Sequence, residues 1–249
     1  MSIRLLIAAT SLLAASVAHA SEGQPFYGYA YDLESGKYLY TEVHAPVVEG
    51  GREVSSTIHY YAADGALLGS KPLDYRNDPF VPLFRLTLAK EGYVEAITAN
   101  GGNVEMLKID GKGKPEKRKS LKKDGLMAAD SGFHHLLQTR LPALIAGELL
   151  NFRFTVAGQL DSYRFRARKV GEAMFEGKPA VQLLVQADSL LRYLAPDLHL
   201  LYDPATRKLL EYRGISNLHD PDSGKAYMAR IAYYSAPPPD APKNLPPLP

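Results

Sequence analysis

Asp161-Ser-Tyr-Arg-Phe-Arg-Ala-Arg-Lys-Val170 decides the fold class. Tyr163, Phe165 and Ala167 recur with period two, and Arg164, Arg166 and Arg168 fill the alternate positions. Successive side chains of an extended chain point to opposite faces, so this stretch is a strand with one buried and one wet face. Around it the same signal repeats. Leu149–Val156 sets Leu150, Phe152, Phe154 and Val156 inward and Asn151, Arg153 and Thr155 outward, and Gly158 begins the turn that joins the two strands. After a turn-rich connector at Glu172–Lys178, Ala180–Ala187 alternates Val181, Leu183, Val185 and Ala187 against Gln182 and Gln186. Asp188–Leu194 reads as a short helix. Leu198–Tyr202 and Leu209–Ile215 flank Asp203–Lys208 as a hairpin, and Gly214 marks a bulge or a close approach. Tyr227–Tyr234 is the last strand.

The N-terminal part carries the same grammar. Phe26–Leu33 and Tyr38–His44 surround Glu34-Ser-Gly-Lys37 as a hairpin. Pro46, which has no amide hydrogen for a ladder, ends the second strand. Glu53–Ala62, Ala66–Tyr75, Phe84–Ala89, Tyr93–Thr98 and Val104–Asp110 follow, separated by Gly-containing turns, and read as a meander. Gly111–Gly125 is basic, lacks an apolar period and reads as a flexible loop. Ala129–Leu141 is the one long helical pattern: Phe133, Leu136, Leu137 and Leu141 recur at i, i+3, i+4, with Asp130 or Ser131 as cap and Pro142 as its end or kink. The fold class is therefore mainly β: a large curved antiparallel sheet, an incomplete barrel, with one helix at about 129–141 over its concave face.

Before the sheet, Met1–Ala20 has the anatomy of a secretory signal peptide. Arg4 precedes the apolar run Leu5–Val17, and Ala18-His-Ala20 is a small-x-small cleavage site. The run is too short to span a bilayer, and no later run is long enough. Export with cleavage after Ala20 leaves a single domain at 21–235 and a tail at 236–249. The chain contains no cysteine, so packing alone must hold it. Without the leader it carries 28 basic and 27 acidic residues, a balance that gives no global field toward nucleic acid. The tail, seven prolines in fourteen residues, stays extended and unpaired: either a docking segment or a disordered end.

Catalytic patterns are absent. There is no Gly-x-Ser-x-Gly elbow, no phosphate-cradling Gly-x-x-x-x-Gly-Lys and no paired carboxylates at a shared site. His134 and His135 are adjacent, so on a helix they diverge instead of converging on a metal, and Asp220-Pro-Asp222 beside His219 reads as a turn. Neither metal nor cofactor is expected.

Three features could form a binding surface. An inner aromatic face comprises Tyr29, Tyr31, Tyr40, Tyr60, Phe152, Phe154, Tyr163, Phe165, Tyr202 and Tyr212, with Leu200. Arg164, Arg166 and Arg168, with Arg153, form a solvated stripe. Lys112, Lys114, Lys117, Arg118, Lys119, Lys122 and Lys123, opposed only by Glu116, could meet anionic head groups.

A meander, a central helix and the hairpin Leu200-Leu-Tyr202-Asp203-Pro-Ala-Thr206-Arg-Lys-Leu209-Leu210-Glu-Tyr212 together resemble uncharacterised bacterial periplasmic proteins similar to the lipoprotein-carrier (LolA/LolB-like) half-barrels. The resemblance implies a periplasmic half-barrel holding acyl chains in its concavity; it carries no functional residue over. The expectation is a non-catalytic binder of an apolar or amphipathic, lipid-like ligand. The alternatives are an envelope scaffold that meets a protein partner through the sheet edge and the Pro-rich tail, and thirdly a hydrolase with dispersed catalytic residues.

Overall fold

The structure, a computed structural model, describes residues 21–188, 196–221 and 223–249. The leader at 1–20 and all but the first residue of the short helix expected at Asp188–Leu194 lie outside the described residues. The elements are β1 Ser21–Glu22, β2 Phe26–Asp32, β3 Tyr38–Glu49, β4 Arg52–Ala62, β5 Leu67–Asp74, β6 Leu83–Leu88, β7 Tyr93–Asn100, β8 Asn103–Asp110, β9 Glu116–Lys122 and β10 Met127–Ala129. Helix α1 Gly132–Ile145 follows, then β11 Leu150–Val156, a 3-10 turn at Ala157–Gln159, β12 Asp161–Phe175, β13 Lys178–Ala187, β14 Leu198–Tyr202, β15 Leu209–His219 and β16 Ala226–Ala232.

All sixteen strands join one sheet. Its path runs from β10 through β11–β16, continues into β2 and ends at β9, with β1 paired to β3 off the path. The ladder is antiparallel throughout except at β10–β11. A parallel pair needs a crossover, and α1 supplies it. The path's two ends, β9 and β10, are successive in the chain but share no ladder, so the sheet is an incomplete barrel.

The deciding stretch is β12, and its alternation holds. Phe165 and Ala167 are buried, while Arg164 and Arg168 are exposed. Phe165 lies opposite Phe152 on β11 and Ala187 on β13. The strand runs beyond Val170, across a register shift between Lys169 and Gly171, to Phe175. Glu172–Lys178 is therefore not a connector. Glu176 and Gly177, with φ of 48° and 74°, make the whole turn between Phe175 and Lys178. Two central residues with positive φ match the twist of a hairpin, but Glu in the first place hid the signal that Asn or Asp would have given.

The basic segment expected as a loop contains β9. Residues 111–115 and 123–125 are irregular; Glu116–Lys122 pairs with β8, with Leu121 opposite Val104. Six of its seven residues are exposed, so no apolar phase exists to read, and charge on an end strand discourages pairing with other chains. Pro46 does not end β3, which continues to Glu49. The Pro46 carbonyl accepts from the Gly23 amide, on the side away from β4. A strand residue points its N and O the same way, so the missing donor faces residues 23–25, which belong to no strand, and costs no ladder bond with β4. Likewise β15 continues through the polar Asn217 to His219.

Helix α1 begins three residues later than expected, because Met127–Ala129 is a strand. Ser131 is its first flanking residue, but neither Ser131 nor Asp130 caps it through a side chain. Pro142 lies inside the last turn on an exposed face, where the carbonyl it frees can be hydrated, and the helix runs on to Ile145. Phe133, Leu136, Leu137, Leu141 and Leu144 pack on the inner residues of β11–β14, among them Phe152, Phe165, Leu183, Val185, Leu200 and Tyr202. Gly214 marks a close approach, though by side chains and not by backbone: a Cβ there would lie 2.4 Å from Leu198 Cδ2.

Candidate functional site

Among the described residues no α-helix lies over the inner faces of β2–β8; only the 3-10 turn meets them, at β7 and β8. Tyr40, Ile58, Tyr60, Phe84, Leu86, Ile97, Met106 and Ile231 form an apolar cluster there. Charged residues share its phase. Lys71 faces inward between Gly69 and Leu73 on β5, and its Nζ donates to Asp130 Oδ1 at 2.6 Å. Both side chains are at most 5% exposed. Burial pulls the Lys71 pKa down, but the adjacent Asp130 charge overrides it and the net shift is upward, so the ammonium persists. Asp130 reaches this point from the residue before α1's flank, with a φ of 44°. The crossover that places the helix therefore also places the counter-charge.

Around this pair the cavity wall mixes polar and apolar groups. Tyr60 lies beside it, with Lys71 Nζ 6.0 Å from the ring centroid, and its buried hydroxyl lies against the Asn217 side chain. Glu42 contacts His44 Nε2 at 2.8 Å and accepts from Tyr233 Oη at 3.2 Å. Glu95 accepts from Tyr93 Oη at 2.8 Å, and burial raises its pKa, with the Asp130 charge adding to the effect. The 3-10 turn crosses directly over Glu95: a Cβ on Gly158 would lie 2.2 Å from Oε2, so any larger residue there would have to push the carboxylate aside. Next to α1, Glu53 lies 3.7 Å from His135, whose ring is 4.4 Å from that of Tyr75. Burial pushes Glu53 up to about 7, against a hydrogen bond from Ser56, and pushes His135 down to about 4. His134 turns the other way, to Tyr202 Oη at 2.9 Å, and burial lowers it to about 3. The two histidines diverge as their adjacency dictates. Among the described residues no group of three or more His, Asp or Glu side chains could hold a metal ion.

Together with the outer groove it joins, this space measures about 1750 Å³. Of the ten aromatics expected to line it, eight are on the inner face. Tyr60, Phe154, Tyr163, Phe165 and Tyr212 border the cavity. Tyr40, Phe152 and Tyr202 are packed behind it: Tyr40 Oη pairs with Ser216 Oγ at 2.6 Å, Phe152 stacks on Phe133 at 5.6 Å, and Tyr202 stacks on His134. Tyr29 and Tyr31 belong to the other face, opposite in phase to the inward Ala30. A register shift between Ala30 and Tyr31 displaces their partners on β3, which a reading of one strand at a time cannot detect. Thr155, expected outward, is buried without a partner for its hydroxyl.

The basic residues gather on β9 and its flanks, outside the cavity. Four of the seven meet acids: Lys117 with Asp110, Arg118 with Glu116, Lys119 with Asp161 and Lys123 with Asp78. Lys112, Lys114 and Lys122 are exposed. On β12, Arg164 and Arg168 are exposed, and Arg153 on β11 bonds Ser162 Oγ at 2.7 Å.

Lys71, Asp130, Glu42 and Glu95 are the site residues that sequence reading passed over. Their signal was a charge in the apolar phase of a strand: Lys71 in step with Leu73 and Tyr75, Glu42 in step with Tyr40 and His44. Among the described residues no helix is long and apolar enough to cross a membrane.

No family model matches the sequence, and no curated protein matches it. Among solved structures the chain is similar to a beta-barrel-like protein of domain of unknown function DUF1849 from Brucella abortus, with a TM-score of 0.46 and 9% identity over 88% of this chain and 98% of that one.

Proposed function

We propose that the chain is an exported, periplasmic carrier that binds an amphipathic, lipid-like ligand in the cavity of its incomplete barrel, in the manner of the lipoprotein-carrier half-barrels. The observation that carries this reading is the two-sided cavity wall. Phe84, Phe154, Phe165 and Ile231 offer apolar surface, while Lys71, Asp130 and the Tyr60 hydroxyl form a buried polar pole. A core built only for stability would leave no such space beside a buried charged pair. Drug-sized ligand sites share this composition, mostly apolar with a few placed polar groups. In this reading the acyl part lies on the aromatic wall and the head group meets the polar pole. The β9 lysines stay outside the pocket and serve only an approach to an anionic surface.

The reading supports binding and not turnover. Glu53 and His135 are the titratable pair nearest a general acid or base, but at 3.7 Å they are beyond a hydrogen bond. Native mass spectrometry of the protein from its own compartment, followed by organic extraction, tests the proposal. A stoichiometric lipid is expected, and Phe154→Glu, checked for an unchanged circular dichroism spectrum, should abolish it. A clean apo mass that takes up neither added phospholipid nor fatty acid would sink the reading.

A further inference from the structure

The outer face of β2 carries a second surface. Tyr27, Tyr29 and Tyr31 fall in one phase, and Tyr234, Phe175 and Arg230 complete the wall. Tyr29 is 5.9 Å from Tyr27 and 6.2 Å from Tyr234, and Phe175 stacks on Tyr234 at 5.2 Å. The Arg230 guanidinium lies 5.3 Å from the Tyr31 ring and is fixed by Glu211 at 2.7 Å. The Pro-rich tail lies here. Tyr27 Oη donates to the Pro246 carbonyl at 2.6 Å, and Tyr31 Oη donates to Asp240 Oδ1 at 3.0 Å. Pro237 and Leu248 line the same groove.

The chemistry of these contacts follows from proline. A proline-rich chain has few amides, so it cannot extend the sheet as a strand. Its carbonyls remain strong acceptors, and its rings present a flat apolar face. A row of tyrosines answers both needs, ring against ring and hydroxyl to carbonyl. Proline-recognising domains use aromatic grooves in this way, because the extended ligand loses little entropy on binding. The anchors also agree in scale. Tyr27 and Tyr31 are about 13 Å apart along β2 at ~3.3 Å per residue, within the ~19 Å reach of the six-residue step from Asp240 to Pro246 at ~3.1 Å each.

We propose that this tyrosine groove is a docking site for proline-rich segments bearing an acidic residue. The chain's own tail is its resident competitor, and the incoming ligand is the proline-rich segment of a partner protein. The groove confers selectivity through the spacing of carbonyl and carboxylate, which Tyr27 and Tyr31 read. Displacement frees the tail and bares the tyrosine face, while the sheet, in which the tail has no strand, keeps its ladders.

The test uses the full chain and a labelled synthetic peptide of residues 236–249, followed by fluorescence anisotropy. A full-length variant with Asp240→Ala, Pro246→Gly and Pro247→Gly loosens the resident tail and leaves the groove unchanged. This variant should bind the peptide one to one, at least ten-fold tighter than the unmodified chain does. Adding Tyr27→Phe and Tyr31→Phe, which keep the rings and the fold, should remove at least ten-fold of that affinity. A peptide with alanine in place of its prolines should not bind. The proposal is overturned if loosening the tail brings no gain, if the phenylalanine pair binds as well as tyrosine, or if the alanine peptide binds equally.

Discussion

The two halves of the sheet solve the same geometric problem differently. A curved sheet must bury its concave face. Over β11–β14 the chain lays down α1, and most of the concavity becomes an aromatic and aliphatic core, with Phe154, Tyr163 and Phe165 left bordering the cavity. Over β2–β8, among the described residues, only the 3-10 turn arrives; the wall carries Lys71, Glu42 and Glu95 among its apolar residues, and the cavity borders it. The same strand grammar therefore yields a structural half and a receptive half. The difference is set by one crossover, which begins at Asp130 and serves both: its helix fills one side and its carboxylate charges the other.

The contrast is open to attack at its charged centre. Lys71→Met leaves Asp130 buried without a counter-charge, and a loss of about 3–5 kcal/mol is expected in urea unfolding. Lys71→Met with Asp130→Asn should recover a large part of it; a single variant as stable as the unmodified chain would show that the pair is solvated and the pole not buried. In the filled half, Leu137→Ala creates a cavity at a fully buried position and should cost about 2–5 kcal/mol. A negligible cost would mean that this half is loosely packed too, and the contrast would fail.

Glu53 sharpens the boundary between the halves. Its folded pKa is about 7 against an ordinary 4.5, so between those values the folded chain keeps a proton that the unfolded chain has lost. Its contribution to stability is therefore present below the unfolded value and fades as pH rises toward 7. His135, lowered to about 4 by burial, acts in the opposite sense as pH falls below its ordinary 6.5. Comparing Glu53→Gln with the unmodified chain at each pH isolates the carboxyl. The variant should gain about 1–2 kcal/mol at pH 8, allowing for partial exposure of the side chain, and nothing at pH 4. A flat difference would place Glu53 in solvent. The smallest expected effect is Tyr60→Phe. Removing a buried hydroxyl whose one neighbour is the neutral Asn217 side chain should change stability by no more than about 1 kcal/mol, measured by thermal unfolding.

How far the sequence disclosed this arrangement depended on whether each strand had two unlike faces. Tyr163, Phe165 and Ala167 against three arginines could be read directly, as could the hairpin at Asp203–Lys208, because burial writes itself as alternation. β9 could not, since both of its faces are wet and its only evidence is the partner strand. The helix was visible, but its start was not: Met127–Ala129 is apolar for a strand's reason. The site was half legible. Inner aromatics on β11–β14 were found, yet several are consumed by the helix, which a strand-by-strand reading cannot subtract. Tyr29 and Tyr31 were assigned to the wrong face because a register shift separates Ala30 from Tyr31. The buried charges were passed over because a charge reads as surface until its partner, 59 residues away for Lys71, is known.

The β16–β2 ladder sets a timetable for folding. It pairs Tyr29 with Ala232 and Tyr31 with Arg230, so the sheet is joined at its centre by the two ends of the chain. The early meander β2–β9 can assemble as soon as it is made, but β2 then waits with one bare edge until the last strand is synthesised. Contacts of such long sequence separation form slowly, and a bare edge invites other chains in the interval. A chain cut short before β16 would keep most of its strands and lose the join between its halves, with the receptive half exposed along β2.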